Sequence, residues 1–233
     1  MTNRARPAQN EIYHVFNRGV EKRLIFSSDK DRLRFIHDMY VFNDSNPYEN
    51  WGRDYEQMKE VGLPSEREKM VEILAFALMP NHYHLMLRGL TENGITEFMR
   101  KLGTGYTNYF NTKYDRVGPL FQGKYKAVLI KDQRQFMHLP YYIHLNPLDL
   151  IDKKWRDERM ANVKKAQQFL ETYKWSSYQN YIGKENFSDV IDKEFLSEFF
   201  DGPEQYKKDM FEWVKNGNLE EISNIALESV GEA

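Results

Sequence analysis

The 233-residue sequence predicts an α+β fold, with a ferredoxin-like β-α-β-β-α-β core, an antiparallel sheet and a C-terminal helical extension. Two observations support this prediction. Apolar residues alternate or run without a break in four short segments, as is typical of strands, and they recur with helical spacing between those segments. The order of the segments is the ferredoxin-like order, which predicts a sheet backed by helices on one face.

Four segments are predicted as strands. Residues 11–17 alternate between apolar and polar side chains. Residues 70–79 and 82–88 are two apolar runs, and the short Pro80-Asn81 turn between them indicates a hairpin. Residues 125–130 form the fourth predicted strand.

Two sequence signals mark the starts of helices. Ser28 followed by Asp31 is expected to open a helix. Asp132 followed by Gln135 matches a capping box, in which two side chains satisfy backbone N–H groups at a helix start. The first signal precedes a helix with apolar residues at helical spacing, and the second precedes a helix that follows the fourth strand. Between them, Thr91 or Asn93 is expected to cap another amphipathic helix, which runs to about Lys113.

Charge is distributed unevenly along the chain. The whole chain has a net charge of −2, but residues 184–233 carry 5 Lys and Arg against 13 Asp and Glu, and residues 1–183 carry 28 against 22. We interpret residues 1–183 as the main domain, with a polar insertion at about 44–69, and residues 184–233 as an acidic helical extension. A basic domain is typical of nucleic-acid-binding proteins. Two solvated acidic helices at the end would explain the same charges.

Composition excludes several kinds of protein. The chain has no cysteine, which excludes disulfides and metal sites built from thiolates. Its first residues lack the apolar segment of a secretory signal, and no apolar run is long enough to cross a membrane. We therefore expect a cytoplasmic protein without a membrane partner.

Two histidines, His82 and His84, lie on a predicted strand. Because strand side chains alternate between faces with a period of two, both imidazoles are expected on the same side of the sheet. Neutral imidazole is the commonest metal ligand, so the pair is a candidate for part of a divalent metal site. The alternative is a pair of partly buried histidines that hydrogen-bond to their neighbours.

A second motif lies on the last predicted helix of the core, which Pro147 is expected to end close to Asn146. Tyr142 and Asn146 are four residues apart and therefore share a helix face. Asn146 offers an amide oxygen to a hard cation. Tyr142 offers a phenol, which is a weak nucleophile with a pKa of about 10 but needs less activation beside a metal-bound phosphate. The alternative is a core tyrosine and a helix-capping asparagine.

Taken together, the motifs resemble the single-tyrosine HUH transposases, in particular the REP-associated tyrosine transposase branch of the IS200-like family. Four stretches carry the resemblance, and their order and spacing agree with the family pattern over roughly residues 8–180. They are YHVFNRG at 13–19, MPNHYHL at 79–85, GPLFQGKYK at 118–126 and YIHLNP at 142–147.

The resemblance implies a role for each motif residue. It makes His82 and His84 the histidines of the HUH motif, Tyr142 the nucleophile and Asn146 the third metal ligand. The metal would be Mg²⁺ or Mn²⁺, and the partner would be single-stranded or hairpin DNA containing a palindromic element. Such an enzyme cleaves and rejoins DNA through a 5′-phosphotyrosine link, which conserves the energy of the broken bond.

Cations and aromatic rings mark a candidate DNA-binding surface, mostly between residues 116 and 131. Cations neutralise phosphates and aromatic rings stack on unpaired bases, a combination suited to single-stranded or hairpin DNA. A strand with one solvated lysine face would show the same residues. The candidates are Arg18, Arg116, Phe121, Lys124, Tyr125, Lys126 and Lys131.

The chain departs from the family pattern in two places. Family members often carry a basic Val-Arg-Ala-Gly-like continuation after the Asn-Pro, whereas this chain has Leu148-Asp149. A positive contact to DNA is therefore expected to be missing there. Pro140, two residues before the candidate nucleophile, is expected to kink the helix.

Two other functions remain open from the sequence. A protein of the same fold could bind a DNA or RNA hairpin without cutting it, and a metal-dependent hydrolase could act without a covalent intermediate. The sequence allows either a monomer or a homodimer. Because residues 184–233 contain no candidate ligand or nucleophile, we expect them to be dispensable for the chemical step.

Overall fold

The computed structural model describes residues 7–46, 67–156 and 162–215. Within these ranges, four strands form a single sheet. They are β1 Ile12–Arg18, β2 Val71–Met79, β3 His82–Gly89 and β4 Lys126–Leu129.

The strands are ordered β2-β3-β1-β4 across the sheet, and each neighbouring pair is antiparallel. This is the ferredoxin-like arrangement, so the predicted α+β fold and its antiparallel sheet are confirmed. Each strand end lies within one residue of the predicted end. Most of the predicted insertion, residues 47–66, lies outside the described residues.

Seven helices lie in the described part of the chain, and none of them is long and apolar enough to cross a membrane. A short 3-10 turn, Asn146–Leu150, follows the third. The helices are α1 Asp29–Val41, α2 Gly94–Lys113, α3 Gln133–Leu145, α4 Val163–Thr172, α5 Tyr178–Tyr181, α6 Lys193–Ser197 and α7 Pro203–Lys215.

The predicted helix starts form through side-chain caps. Before α1, Ser28 accepts a hydrogen bond from the Asp31 backbone N–H, and the Asp31 carboxylate accepts one from the Ser28 N–H at 2.8 Å. Before α3, Asp132 accepts a hydrogen bond from the Gln135 N–H at 2.8 Å. Pro140 does not end α3, which continues to Leu145.

Helices cover both faces of the sheet, which corrects the prediction that they lie on one face. α1 and α2 pack on the face that carries Tyr13 and Val15. α3 and the later helices pack on the opposite face, over Ala77 of β2 and Met86 of β3. β2 is a nearly continuous apolar run because it is buried on both faces.

The C-terminal helices share a core with α3. Tyr206, Met210 and Phe211 of α7 are buried, each 2% exposed or less. The Tyr206 phenol lies 2.6 Å from Nδ1 of His144 on α3. Residues 184–215, the described part of the acidic extension, are therefore part of the body that supports α3. A truncation at residue 183 would remove this support for α3, in addition to any effect that it has on the chemical step.

We expect Met210→Ala to lower the free energy of unfolding by about 2–5 kcal/mol, because it leaves a cavity beneath α3. Lys208→Ala is the control on the same helix, since the Lys208 side chain is 63% exposed, and it should change stability by less than about 0.5 kcal/mol. Urea unfolding of both variants measures the difference. Equal midpoints would contradict the inclusion of α7 in the core.

Candidate active site

The two histidines of the predicted metal site lie side by side on β3. His82 and His84 face the same side of the sheet, with ring centroids 5.0 Å apart and ring planes at 88°. α3 covers this face, and the ring of its Tyr142 lies edge-on to His84 at 5.6 Å between centroids. The fold therefore brings the two sequence motifs into one site.

The rotation of α3 determines which of two adjacent tyrosines faces the histidines. Tyr142 is fully buried against the sheet. The Tyr141 ring packs instead on Tyr206 and Phe200 of the C-terminal segment, at centroid distances of 5.1 and 5.7 Å. Because neighbouring residues of a helix point about 100° apart, only Tyr142 meets His84.

Asn146 begins the 3-10 turn, one helical turn beyond Tyr142. Its Nδ2 donates a hydrogen bond to the Tyr142 backbone oxygen at 2.8 Å, which fixes the orientation of the amide. Its Oδ1 accepts a hydrogen bond from Nη2 of Arg156 at 2.7 Å. A carbonyl oxygen has two lone pairs, so the same atom has the capacity to bind a cation as well.

Arg156 is a site residue that the sequence analysis did not identify. Its guanidinium donates to both carboxylate oxygens of Asp149, at 3.0 and 2.9 Å, and its Cζ lies 5.3 Å from the centre of the Tyr142 ring. Asp149 stands where the family pattern has a basic residue. Asp149 holds the Arg156 guanidinium beside Asn146, so a positive charge lies close to this position, and the missing contact to DNA stays a prediction.

Arg156 remains a cation in this environment. Burial lowers its pKa, but Tyr142 and Asp149 raise it by more, so that the pKa lies above its ordinary value. The site thus contains a permanent positive charge next to the candidate nucleophile.

His14 on β1 is the second residue that the sequence analysis did not assign to the site. Its Nε2 lies 3.0 Å from Nδ1 of His84, and its ring lies 5.7 Å from that of Tyr142. If His84 donates this hydrogen bond from Nδ1, its Nε2 carries the lone pair that a metal requires. The alternation of strand side chains could have identified His14, because it places His14 on the face opposite to Tyr13 and Val15, which is the face of His84.

Asn81 orients His82 in a similar way. The Asn81 Oδ1 lies 2.7 Å from Nδ1 of His82. An amide oxygen only accepts hydrogen bonds, so His82 donates from Nδ1 and carries its lone pair on Nε2. Metal-binding histidines characteristically donate their other ring N–H to such a partner.

Burial keeps the three imidazoles neutral. It lowers the pKa of His82 to about 4, with Asp149 acting in the opposite direction, and it lowers that of His14 to about 3. The pKa of His84 is also held well below 6.5, by burial first and then by its histidine neighbours. Neutral imidazole is the form that binds metals, so these residues are in the required protonation state near pH 7.

A cavity of about 500 Å³ opens beside His82 and His84. It lies between the ends of β1 and β3 and the loop that precedes β4. Gly19 permits this arrangement, because a Cβ there would lie 2.3 Å from the backbone oxygen of Arg23. A cation-lined cavity of this kind suits phosphate groups. The lining cations are Arg18, Lys22, Lys124 and Lys126.

The other predicted DNA-binding residues do not line this cavity. Phe121 is buried in the core, so its ring is not presented at the surface. Arg116 turns back onto α2, where it donates to Asn111 at 2.9 Å. Tyr125 is half-buried against the core, and Lys131 is exposed beyond the end of β4.

Comparison with known families finds a match over part of the chain. Residues 36–146 match the family model described as "Transposase IS200 like". The matched stretch contains the two histidines of β3, Tyr142 and Asn146. The resemblance drawn from the motifs is therefore confirmed over this stretch, which is similar to the IS200-like transposases.

The fold is similar to that of a solved REP-associated tyrosine transposase bound to a REP hairpin. The two structures superpose with a TM-score of 0.50 at 13% sequence identity, over 80% of this chain and 90% of the other. At that identity the similarity establishes the fold. No curated protein sequence matches the chain significantly.

We expect the free energy of unfolding to fall as the pH is lowered from 7.5 to 5. Burial lowers the pKa of His14 and of His144 to about 3 in the folded state, whereas a histidine of the unfolded chain titrates near 6.5. Below that pH the unfolded chain binds more protons, so each such histidine costs up to about 1.4 kcal/mol per pH unit. Urea unfolding at a series of pH values measures the slope. A flat profile between pH 6.5 and 5 would be inconsistent with buried neutral histidines.

Proposed function

We propose that the protein is a metal-dependent DNA transposase that cleaves and rejoins single-stranded hairpin DNA through a covalent link to Tyr142. The observation that carries the proposal is the edge-on packing of the Tyr142 ring against both His84 and His14, at 5.6 and 5.7 Å. A phenol beside a neutral histidine pair and a cationic cavity has the surroundings that phosphoryl transfer to tyrosine needs.

His82, His84 and Asn146 are the proposed ligands of Mg²⁺ or Mn²⁺. Each imidazole engages a protein neighbour through Nδ1, as metal-binding histidines do, and Asn146 offers an amide oxygen. Among the residues that the structure describes, no group of three or more His, Cys, Asp or Glu is arranged to hold a metal. The remaining ligands would therefore come from water and the DNA phosphate, which suits a hard cation.

The proposed reaction exchanges one phosphate ester for another. The bound metal would make the scissile phosphorus more electrophilic. The Tyr142 oxygen loses its proton to solvent and bonds to phosphorus, and the bond from phosphorus to the 3′ oxygen breaks. That oxygen takes up a proton and leaves as a 3′-OH, while the 5′ phosphate stays on Tyr142. Rejoining is the same exchange in reverse with another 3′-OH, and no nucleotide triphosphate is consumed.

A hairpin is the proposed substrate because of the charges around the cavity. The side chains of Arg18, Lys22, Lys124 and Lys126 would neutralise successive phosphates of a strand that enters the site. The relative of known structure was solved with a REP hairpin bound, which supports a hairpin ligand for this chain also.

A second candidate function is hairpin binding without cleavage. Two observations favour it: Tyr142 is fully buried, and the Asn146 oxygen already accepts a hydrogen bond from Arg156. A catalytic cycle requires the DNA to reach the phenol. The two functions differ in one product, the covalent protein–DNA adduct.

Tyr142→Phe should abolish the covalent adduct while leaving folding and hairpin binding intact, because it removes one oxygen and little volume. Tyr141→Phe is the matched control and should still form the adduct, since its ring packs on the C-terminal segment. Denaturing electrophoresis after incubation with labelled hairpin DNA and Mn²⁺ measures the product. An adduct that persists in Tyr142→Phe and disappears in Tyr141→Phe would show that Tyr141, and not Tyr142, is the nucleophile. A parent protein that binds the hairpin without forming an adduct would favour the second function.

Combined His82→Ala and His84→Ala substitutions should eliminate Mn²⁺ binding in calorimetry and adduct formation in electrophoresis, because two of the three protein ligands are lost. His138→Ala is the control, as the His138 ring lies against Tyr141, outside the histidine pair. The metal assignment would be wrong if the double variant bound Mn²⁺ and cleaved DNA as well as the parent does.

A further inference from the structure

Arg156 connects the two chemically important residues of the last motif. Its Nη2 donates to Oδ1 of Asn146 at 2.7 Å, its Cζ lies 5.3 Å from the Tyr142 ring centre, and a hydrogen bond joins it to the Tyr142 side chain. The guanidinium is therefore a neighbour of the atom that would attack phosphorus.

The hydrogen bonds of the guanidinium leave one end for a ligand. Arginine has five N–H donors. Nε donates to Asp149, and the two hydrogens of Nη2 are directed to Asp149 and Asn146. Nη1 is the end that can meet both the phenol and an incoming phosphate oxygen. The Arg156 side chain is 25% exposed, whereas Tyr142 is fully buried.

We propose that Arg156 is a further catalytic residue, whose guanidinium binds a non-bridging oxygen of the phosphate that Tyr142 attacks. Guanidinium groups match phosphate geometry and stay charged throughout the reaction. During attack, negative charge increases on the non-bridging oxygens, and a preorganised cation beside them stabilises the transition state. Arg156 donates hydrogen bonds in this role and neither gains nor loses a proton.

Asp149 is the corresponding positioning residue. It binds the Arg156 guanidinium through both of its carboxylate oxygens, which fixes the plane of the guanidinium. It also accepts a hydrogen bond from the Trp155 indole. A bidentate pair of this kind holds an arginine in one orientation. Asp149 thus aims Arg156 at Tyr142 without touching the DNA.

This inference rests on the proposed cleavage reaction, and a change of substrate charge tests it separately. The experiment compares a hairpin that has an ordinary phosphodiester at the scissile position with one that has a racemic methylphosphonate there. The methylphosphonate replaces a charged non-bridging oxygen by a methyl group. If Arg156 neutralises that charge, its removal should slow adduct formation far less on the methylphosphonate than on the phosphodiester.

Arg156→Gln should slow adduct formation at least about 100-fold on the phosphodiester, the usual loss when one such donor is removed. On the methylphosphonate, parent and variant rates should differ by less than about 10-fold. Arg156→Lys keeps the charge but loses the planar guanidinium. Its rate of adduct formation on the phosphodiester should lie between those of the parent and the glutamine variant. Hairpin affinity and Mn²⁺ affinity should stay close to parent values in both variants.

Arg88→Gln is the matched control. Arg88 also pairs with a carboxylate, that of Glu72, and lies over an aromatic ring, that of Phe195 at 4.0 Å, but it sits at the far end of β3. Its loss should leave the rate on both substrates unchanged.

Three outcomes would overturn the inference, and they differ from one another. Equal rates for parent and Arg156→Gln on the phosphodiester would exclude a catalytic role for Arg156 and leave the proposed cleavage reaction unaffected. An equal loss on both substrates would make Arg156 a structural residue. A parent that forms no adduct on either substrate would overturn the cleavage reaction itself. If Arg156→Gln does not fold, the ratio of the Arg156→Lys rates on the two substrates decides between the first two outcomes.

Discussion

The site depends on the packing of α3 across the second face of the sheet. Leu74, Ala77 and Met86 of the sheet and Leu139 and Ile143 of α3 are all fully buried where the two meet. Burial of each large apolar side chain contributes roughly 1.5–3 kcal/mol. This contact fixes the rotation of the helix about its axis, and that rotation decides which side chain reaches the histidines. The apolar run of β2 therefore serves the chemistry indirectly, because without two buried faces α3 would have no surface to pack on.

The same packing explains the polar contacts around Tyr142. Groups taken out of water need partners, and here the partners form a series from β1 to the turn after α3: His14 with His84, and Asn146 with Arg156 and Asp149. Within the described residues the Nδ1 atom of His14 has no hydrogen-bond partner. Such a network holds each donor in one direction, and an active site requires that precision of orientation.

The sequence was sufficient for local features and insufficient for contacts between distant segments. Alternation identified the strands and placed His82 and His84 on one face, and helical spacing joined Tyr142 to Asn146. His14 was missed because its contact with His84 crosses two strands that are 70 residues apart in the chain. Arg156 lies in a polar stretch without periodicity, so no pattern pointed to it. The apolar spacing of Tyr206, Met210 and Phe211 indicated a helix, but the surface that α7 packs on could not be predicted from it.

Because the site draws on β1, β3, α3 and Arg156, almost the whole length of the chain must be present before it exists. A ribosome releases the histidines long before the tyrosine and the arginine, and the helices that hold α3 in place emerge last. Domains form their distant contacts only after the intervening loops have closed. An incomplete nascent chain therefore carries no assembled site, so the proposed cleavage of DNA would become possible only after α7 has been synthesised.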